Sequence, residues 1–542
     1  MSSMTSNNRL PPVAWNWIGF ALVLLGLFVL NYNYLDRLDL ISDDDDLYFM
    51  FGMDYLKGKY RGPDDGALYC LWQLGIQLMT NDAAQTFYVN WLLMNVLPTV
   101  GFYWLLRSMR VNVWVSVWVT LCYTFSLMNY PLAPKLTHFT IAILLAGLIV
   151  VRRVEGTEKK LFFGAFTIWL ASYVRPEMYV GLVPIILWLA WISYRKRSYK
   201  WLGGILAITI LSGLLVGTPI RKNDRSFWTF KHHFSINYVQ WYPETNLSPW
   251  NHFNEITTQA FGHKLTSPLD AFLTKPDLVM RHFFFNVGNL FKETFTYLKE
   301  MFWGQLNPIF SFPRRSILLL AIALALLVMT DYRATWKNWQ MQARENGTWL
   351  GIMLVMLFPS LLSTTIIFPR IHYVLYHFVF YIPLIGVLVS GLRFRRIERL
   401  PTLSPAVLAG INLVFIGIFL YPKFVEASQD QPTPNRDFAE LLNGLDIQDE
   451  VRFLSGVAPF TYPRYVSPNW QEHYYYDIHR PENFARFVQE KDINCVIVNK
   501  KLNDYFSDDA GYVAFQKAPS ESGFELVRQT PDYLIYTEKT LQ

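Results

Sequence analysis

The sequence predicts a polytopic α-helical membrane protein of about eleven spans, with interfacial helices in its first outer loop and a small soluble α/β domain at the C-terminal end. Three observations predict it. Apolar residues arrive in blocks of roughly 17 to 22, the length that crosses a bilayer's hydrocarbon core, rather than at the spacing of a half-buried strand or amphipathic helix. Basic residues crowd alternate connecting loops. Beyond about residue 425 the composition turns from apolar to soluble.

The blocks run near 14–31, 87–106, 112–130, 136–151, 161–174, 177–194, 201–218, 315–330, 348–368, 371–392 and 403–421 in a chain that is 52% hydrophobic and 17% aromatic. The fifth is the shortest. The first ends in VLNYNYLD, which offers no small-residue cleavage site, so it reads as an uncleaved anchor.

Charge orients the spans. Five short loops carry seventeen Lys and Arg residues: Arg107 and Arg110; Arg152, Arg153, Lys159 and Lys160; Arg195, Lys196, Arg197 and Lys200; Arg333, Lys337 and Arg344; Arg393, Arg395, Arg396 and Arg399. The short loops between them carry Lys135, Arg175 and Arg370. The positive-inside rule places the crowded set, and with it the N-terminus, in the cytoplasm. The net charge of +6 therefore follows from topology and implies no nucleic-acid partner. Cys70, Cys122 and Cys495 show no metal spacing; Cys70 and Cys495 both fall outside, where a single bridge between them is open.

Residues 1–424 thus form the membrane domain and 425–542 the soluble domain on the non-cytoplasmic side. Two further regions lie outside. Residues 32–86 contain LYFMFGMDYL and LYCLWQLGIQLM, too short to span and suited to lie in the interface plane. Residues 219–313 are too long and aromatic for a mere connector and are expected to form a functional loop or small subdomain. In the tail, FAELLNGL, VRFLSGV, ENFARFVQEK, NCVIVNKKL, FELVRQ and YLIYTEK read as alternating helix and strand.

Chemistry concentrates at four places. Asp43, Asp44, Asp45 and Asp46 follow the first span closely. Four consecutive carboxylates repel one another, and the adjoining amphipathic stretch would hold them at the membrane surface. One can serve as general base toward an acceptor hydroxyl, and neighbours can hold a divalent cation such as Mg or Mn through oxygen ligands. The bland alternative is a solvated acidic run. Lys135, Arg175 and Arg370 oppose the orientation signal and so need a reason. They either snorkel or pair with acids, as Arg175 with Glu177, or converge on an anionic phosphate. RKNDRSFWTFKHHFSINYVQW offers Arg225, Lys231, His232 and His233 among aromatics, for a phosphate or a sugar face or for packing on the membrane domain. His138, His372 and Tyr373 lie near span ends, as substrate contacts or as packing residues; His377, within a span, suits packing.

The pattern DDDDLYFMFGMDYLKGKY, an acidic motif in the first outer loop followed by an aromatic position and a short helix ending in Gly, resembles the C-type glycosyltransferase superfamily. SYVRPEMYVGL and FPRIHYVLYHFVFYIPL are similar to an Arg-Pro-Glu turn and a late Pro-Arg-Tyr-type segment in that superfamily. Its most similar branch includes the protein O-mannosyltransferases and lipid A aminoarabinose transferases. The resemblance implies a polyprenyl-phosphate-linked sugar donor, an outer active site, inversion at the anomeric carbon, and an acceptor that is a glycan, lipid or protein. It also implies residence in a bacterial inner membrane, or in the endoplasmic reticulum of a eukaryote. The family shows a pair of acids where this chain has four. Asp44 and Asp45 match the spacing to Tyr48, Asp43 and Asp44 that to Gly58, and Asp44 belongs to both. Lys135, Arg175, Arg370 and Arg225 would then face the donor phosphate, and His138, Lys231, His232, His372 and Tyr373 other parts of the substrates. An O-antigen-type ligase or polymerase would rely instead on outer Arg and His. A transporter or assembly protein would more often carry ionisable residues deep in its spans.

Overall fold

The computed structural model describes residues 12–41, 44–56, 58–60, 62, 65–80, 83–130, 132–219, 225–305, 328–394, 404–445, 447, 450–455, 470–473 and 483–541. In chain order the longer helices are α1 Pro12–Leu30, α2 Asp44–Leu56, α3 Ala67–Thr80, α4 Ala83–Ser108, α5 Val113–Thr124, α6 Leu136–Arg153 and α7 Thr157–Ser172. They continue as α8 Leu182–Lys196, α9 Lys200–Leu215, α10 Arg225–Trp241, α11 Phe253–Phe261, α12 Pro268–Thr274 and α13 Pro276–Lys299. After them come α14 Tyr332–Glu345, α15 Gly347–Leu362, α16 Ile371–Gly391 and α17 Pro405–Ala427. By contact the chain divides into two compact units: Met1–Tyr32, Arg61–Tyr69 and Leu92–Gln429 form the first, and Asn33–Tyr60, Cys70–Trp91 and Asp430–Gln542 the second.

Among the described residues, seven helices are long and apolar enough to cross a membrane: Ala14–Asp36, Ala83–Ser108, Leu136–Arg153, Pro176–Lys196, Gly347–Ile367, Ile371–Gly391 and Ala406–Ala427. They match seven of the expected blocks, and the described helices do not reach the expected eleven. The block at 112–130 yields α5, which stops at Thr124 and gives way to turns in which Ser126 Oγ donates to Tyr123 O and Asn129 Nδ2 to Thr124 O. Its 12 residues extend only about 18 Å, short of the about 30 Å core. The block at 201–218 yields α9, apolar but 16 residues long. The block at 161–174 becomes α7, also 16 residues, whose first turn carries Glu158, Lys159 and Lys160. Most of the block at 315–330 lies outside the described residues.

The first unit packs α6, α7, α15 and α16 around one apolar core that includes Leu145, Ile168, Ile352 and Phe378. Glycine sets its tightest approach. A Cβ on Gly147 of α6 would stand 2.0 Å from Thr167 Oγ1 of α7, so only a residue without a side chain lets the two helices meet there. The expected subdomain in 219–313 is helical: α10 to α13 enclose a small core of Phe230, Phe234, Phe261 and Leu278.

In the second unit, α2 crosses α3 closely at Gly52, where a Cβ would lie 3.1 Å from both Cys70 O and Leu74 N. Gln77 Nε2 donates to Phe49 O at 3.0 Å across the same crossing. The C-terminal part holds helix α18 Pro434–Asn443, strands β1 Val451–Ser455 and β2 Trp470–His473, α19 Phe484–Glu490, β3 Cys495–Val498, α20 Lys500–Phe506, α21 Ala510–Lys517, β4 Phe524–Gln529 and β5 Leu534–Glu538. The strand order is β2-β1-β3-β5-β4. β1 runs parallel to β2 and β3, and β5 runs antiparallel to β3 and β4. Asp39 joins this unit by taking the place of an N-cap: its carboxylate accepts from Asn435 N at 3.1 Å and Arg436 N at 2.9 Å, in the first turn of α18. The three cysteines are buried and form no disulfide, so Cys70 and Cys495 are not bridged.

Candidate functional site

Arg175 follows α7 on the turn that leads through Pro176–Gly181 into α8. Its Nε donates to the Tyr376 hydroxyl at 3.0 Å and its Nη2 to Thr137 Oγ1 at 3.1 Å. Its guanidinium also pairs with Glu177 at 3.7 Å and lies 5.4 Å from the centroid of the Tyr373 ring. One residue of a short loop is therefore oriented by the starts of α6 and α16.

Arg370 is positioned by the chain's own stiffness. α15 ends in a π-helical turn, Ser363–Ile367, and Phe368 is extended at φ −173° and ψ 143°, as a residue before proline must be. Pro369 then delivers Arg370 to the start of α16. The turn leaves carbonyls without helical partners, and α13 supplies them. Asn286 Nδ2 donates to Thr365 O and Ile367 O, both at 3.1 Å, and His282 Nε2 reaches Ile366 O at 3.1 Å. Asn237 of α10 completes the lattice with Asn286 Oδ1 at 2.8 Å and His282 Nδ1 at 2.9 Å. Burial pushes His282 down to about 4, so its ring is neutral, donating at one nitrogen and accepting at the other.

Around Arg370 stand Trp250, whose ring centroid is 5.1 Å from the guanidinium carbon, and the two adjacent histidines. His232 meets Trp250 edge-on at 4.2 Å between centroids, and His233 lies 5.5 Å from Phe368. Burial first, then the Arg370 charge, then His232 and His282 push His233 down to about 3. Burial and Arg370 lower His232 as well. His372 is within electrostatic reach of Arg175, Arg370 and His233, which ties the two arginines into one cluster. His233 Nδ1 and His232 Nε2 are buried without a hydrogen-bond partner among the described residues. The Arg370 guanidinium likewise has no hydrogen-bonding or ion-pair partner among them, while that of Arg175 is engaged by Tyr376, Thr137 and Glu177. A half-buried guanidinium resting on an indole, with no protein acceptor, is suited to an incoming anion.

The cluster thus holds Arg175, Arg370, His232, His372 and Tyr373 of the sequence-based candidates, together with His233. Lys231 stands at its edge, donating to Asn254 Oδ1 at 2.7 Å and lying over Phe227 and Phe253. Lys135 is fully buried, and its ammonium meets Asn95 Oδ1 at 3.0 Å, Asn129 O at 2.7 Å and Tyr130 O at 3.1 Å. A phosphate there would have to displace one of these. His138 is buried with Nε2 3.1 Å from Met128 O. Arg225 opens α10, and its side chain lies outside the described residues. So do Asp43 and the side chains of Asp44, Asp45 and Asp46, the last three forming the first turn of α2. Trp250, Tyr376, Thr137 and the Asn237–His282–Asn286 lattice escaped the sequence reading. The lattice had one visible signal, a His and an Asn four residues apart, the spacing that shares one face of a helix.

Among the described residues no group of three His, Cys, Asp or Glu side chains could hold a metal ion. Compared with known proteins, the chain matches no family model and no curated protein.

Proposed function

We propose that the protein is an integral membrane glycosyltransferase that moves a sugar from a polyprenyl phosphate to an acceptor hydroxyl on the non-cytoplasmic face. Arg370 carries the reading: a guanidinium over Trp250, beside Arg175 and His372, with no acceptor among the described residues. The donor phosphate would bind there, with Arg175 held ready by Tyr376 and Thr137. Neutral His232 and His233 and the faces of Trp250 and Tyr373 would border the sugar. About eleven spans, a cytoplasmic N-terminus and an outer C-terminal domain in the plasma membrane belong to this proposal, on the strength of the charge pattern.

In the reaction the acceptor oxygen forms a bond to the anomeric carbon as its proton passes to Asp44, with Asp43 or Asp45 in support. The bond from that carbon to the phosphate oxygen breaks, and polyprenyl phosphate leaves with the electron pair. Phosphate departs readily once its charge is met by arginine, so no general acid is needed.

The predominance of Arg and His in the cluster supports a second reading, an O-antigen-type ligase or polymerase, in which the acidic run has no part. The test is release of polyprenyl phosphate from a polyprenyl-phosphate sugar by the protein in lipid vesicles. Both readings expect Arg370→Ala to lower turnover at least about tenfold; wild-type turnover in that variant would sink both. Asp44→Asn separates them, with a loss on the order of 100- to 10,000-fold under the first and near silence under the second.

A further inference from the structure

A cavity of about 300 Å³ opens between α14, α15 and α16, at the end of the first unit that carries the crowded basic loops. Trp336, Trp339, Trp349, Leu350, Phe380 and Leu388 are among the residues that line it. The wall is fastened open. Trp339 Nε1 donates to Leu388 O at 3.2 Å and Trp349 Nε1 to Leu148 O at 3.1 Å, so both indoles have spent their one donor on the backbone. Asn338 Nδ2 binds Gly391 O at 3.1 Å, and Asp331 N binds Arg393 O at 2.7 Å. These bonds tie α14 to the end of α16 and prevent it from collapsing into the space.

Three polar residues, Gln340, Gln342 and Asn346, interrupt the apolar lining, and Asn346 is the buried one. Asn346, at the joint of α14 and α15, is 7% exposed. Its Nδ2 donates to Gln342 O at 2.7 Å, while its Oδ1 is buried with no hydrogen-bond partner among the described residues. A buried acceptor without a donor is costly, and one in the wall of an empty apolar cavity points to an occupant that brings a hydroxyl or amine. Charge beside the lining residues in the chain narrows the choice. Met109 lines the cavity, exposed Arg110 follows it, and Arg152 lies within electrostatic reach of Arg110 and of Glu345. Exposed Lys337 and Arg344 add to the positive side.

We propose that this cavity is the site of one anionic phospholipid bearing a headgroup hydroxyl. Its acyl chain fills the space under Trp336 and Trp339, its phosphate meets Arg110 and Arg152, and its hydroxyl donates to Asn346 Oδ1. A site walled by the two apolar helices α15 and α16 suits a lipid chain, and because Glu345 offsets only part of the nearby positive charge, an anionic headgroup matches it better than a zwitterionic one. The site is separate from the Arg370 cluster, and the proposal does not depend on the glycosyltransferase reading.

The test is native mass spectrometry of the purified full chain, given phosphatidylglycerol and phosphatidylcholine at equal concentration. One phosphatidylglycerol per chain should be retained, at least fivefold in preference to phosphatidylcholine. Ala343→Trp, which projects an indole into the cavity, should abolish retention. Arg110→Gln combined with Arg152→Gln should leave a lipid bound but erase the preference. No preference in the wild type overturns the proposal, as does full retention by Ala343→Trp. Should Ala343→Trp fail to fold, the double Gln variant decides alone: a preference equal to that of the wild type overturns it.

Discussion

Arg370 rests on Trp250, its guanidinium carbon 5.1 Å from the indole centroid, although 120 positions separate them in the chain. A residue of the helical subdomain thus presents the cation that begins α16. If this stacking presets the anion site, Trp250→Ala should weaken donor binding about fivefold, the equivalent of a cation–π contact of about 1 kcal/mol. Trp250→Phe should recover part of that. The half-saturating concentration of polyprenyl-phosphate sugar is the readout, and an unchanged value in the Ala variant would remove the indole from the site.

His233 predicts a pH dependence. Its pKa in the fold is pushed down to about 3 from an ordinary 6.5. Unfolded chains therefore bind a proton that folded chains refuse as pH drops below about 6.5. Its contribution to stability is complete above that pH and is lost on acidification toward about 3, by at most about 1.4 kcal/mol per pH unit. Thermal unfolding followed from pH 7 to pH 4.5 should show a shallower acid decline for His233→Gln than for the wild type. Parallel curves would mean that His233 takes up its proton without unfolding.

Asp39 predicts a local effect. Asp39→Ala leaves Asn435 N and Arg436 N without their acceptor, and losing such a cap typically costs about 1 kcal/mol. Limited proteolysis should then cut faster around 430–445. Asp39→Asn, which keeps one acceptor oxygen, should fall between. Equal cutting rates for Ala and wild type would show that the first turn of α18 is held by other contacts.

Gly147 predicts a rescue. Gly147→Ala places a methyl 2.0 Å from Thr167 Oγ1 and should cost about 1–3 kcal/mol through overpacking. Adding Thr167→Ala should return most of it, because the two changes share one contact. Additive losses in detergent melting curves would place the strain elsewhere.

Apolar length and loop charge made the seven long helices readable in advance, because crossing a bilayer constrains composition over some twenty residues at a time. They set the blocks at 112–130 and 201–218 longer than α5 and α9, because hydropathy continues past the point at which each helix stops. Within the site, Arg175 and Arg370 stood out because a basic residue in those loops goes against orientation, and Glu177 is near enough in sequence to be foreseen as the partner of Arg175. Tyr376 meets Arg175 across 201 positions and Trp250 meets Arg370 across 120. Nothing local marks such partners, since they are chosen by how α6, α10 and α16 pack.

The carbonyls of Thr365, Ile366 and Ile367 are held by Asn286 and His282 of α13. That makes the 225–305 subdomain and the turn carrying Arg370 a single mechanical part. A chimera that imports this subdomain from another protein without its matching turn, or the turn without the subdomain, would expose three backbone acceptors and displace the arginine. A graft that is to keep Arg370 in place must therefore carry both segments together.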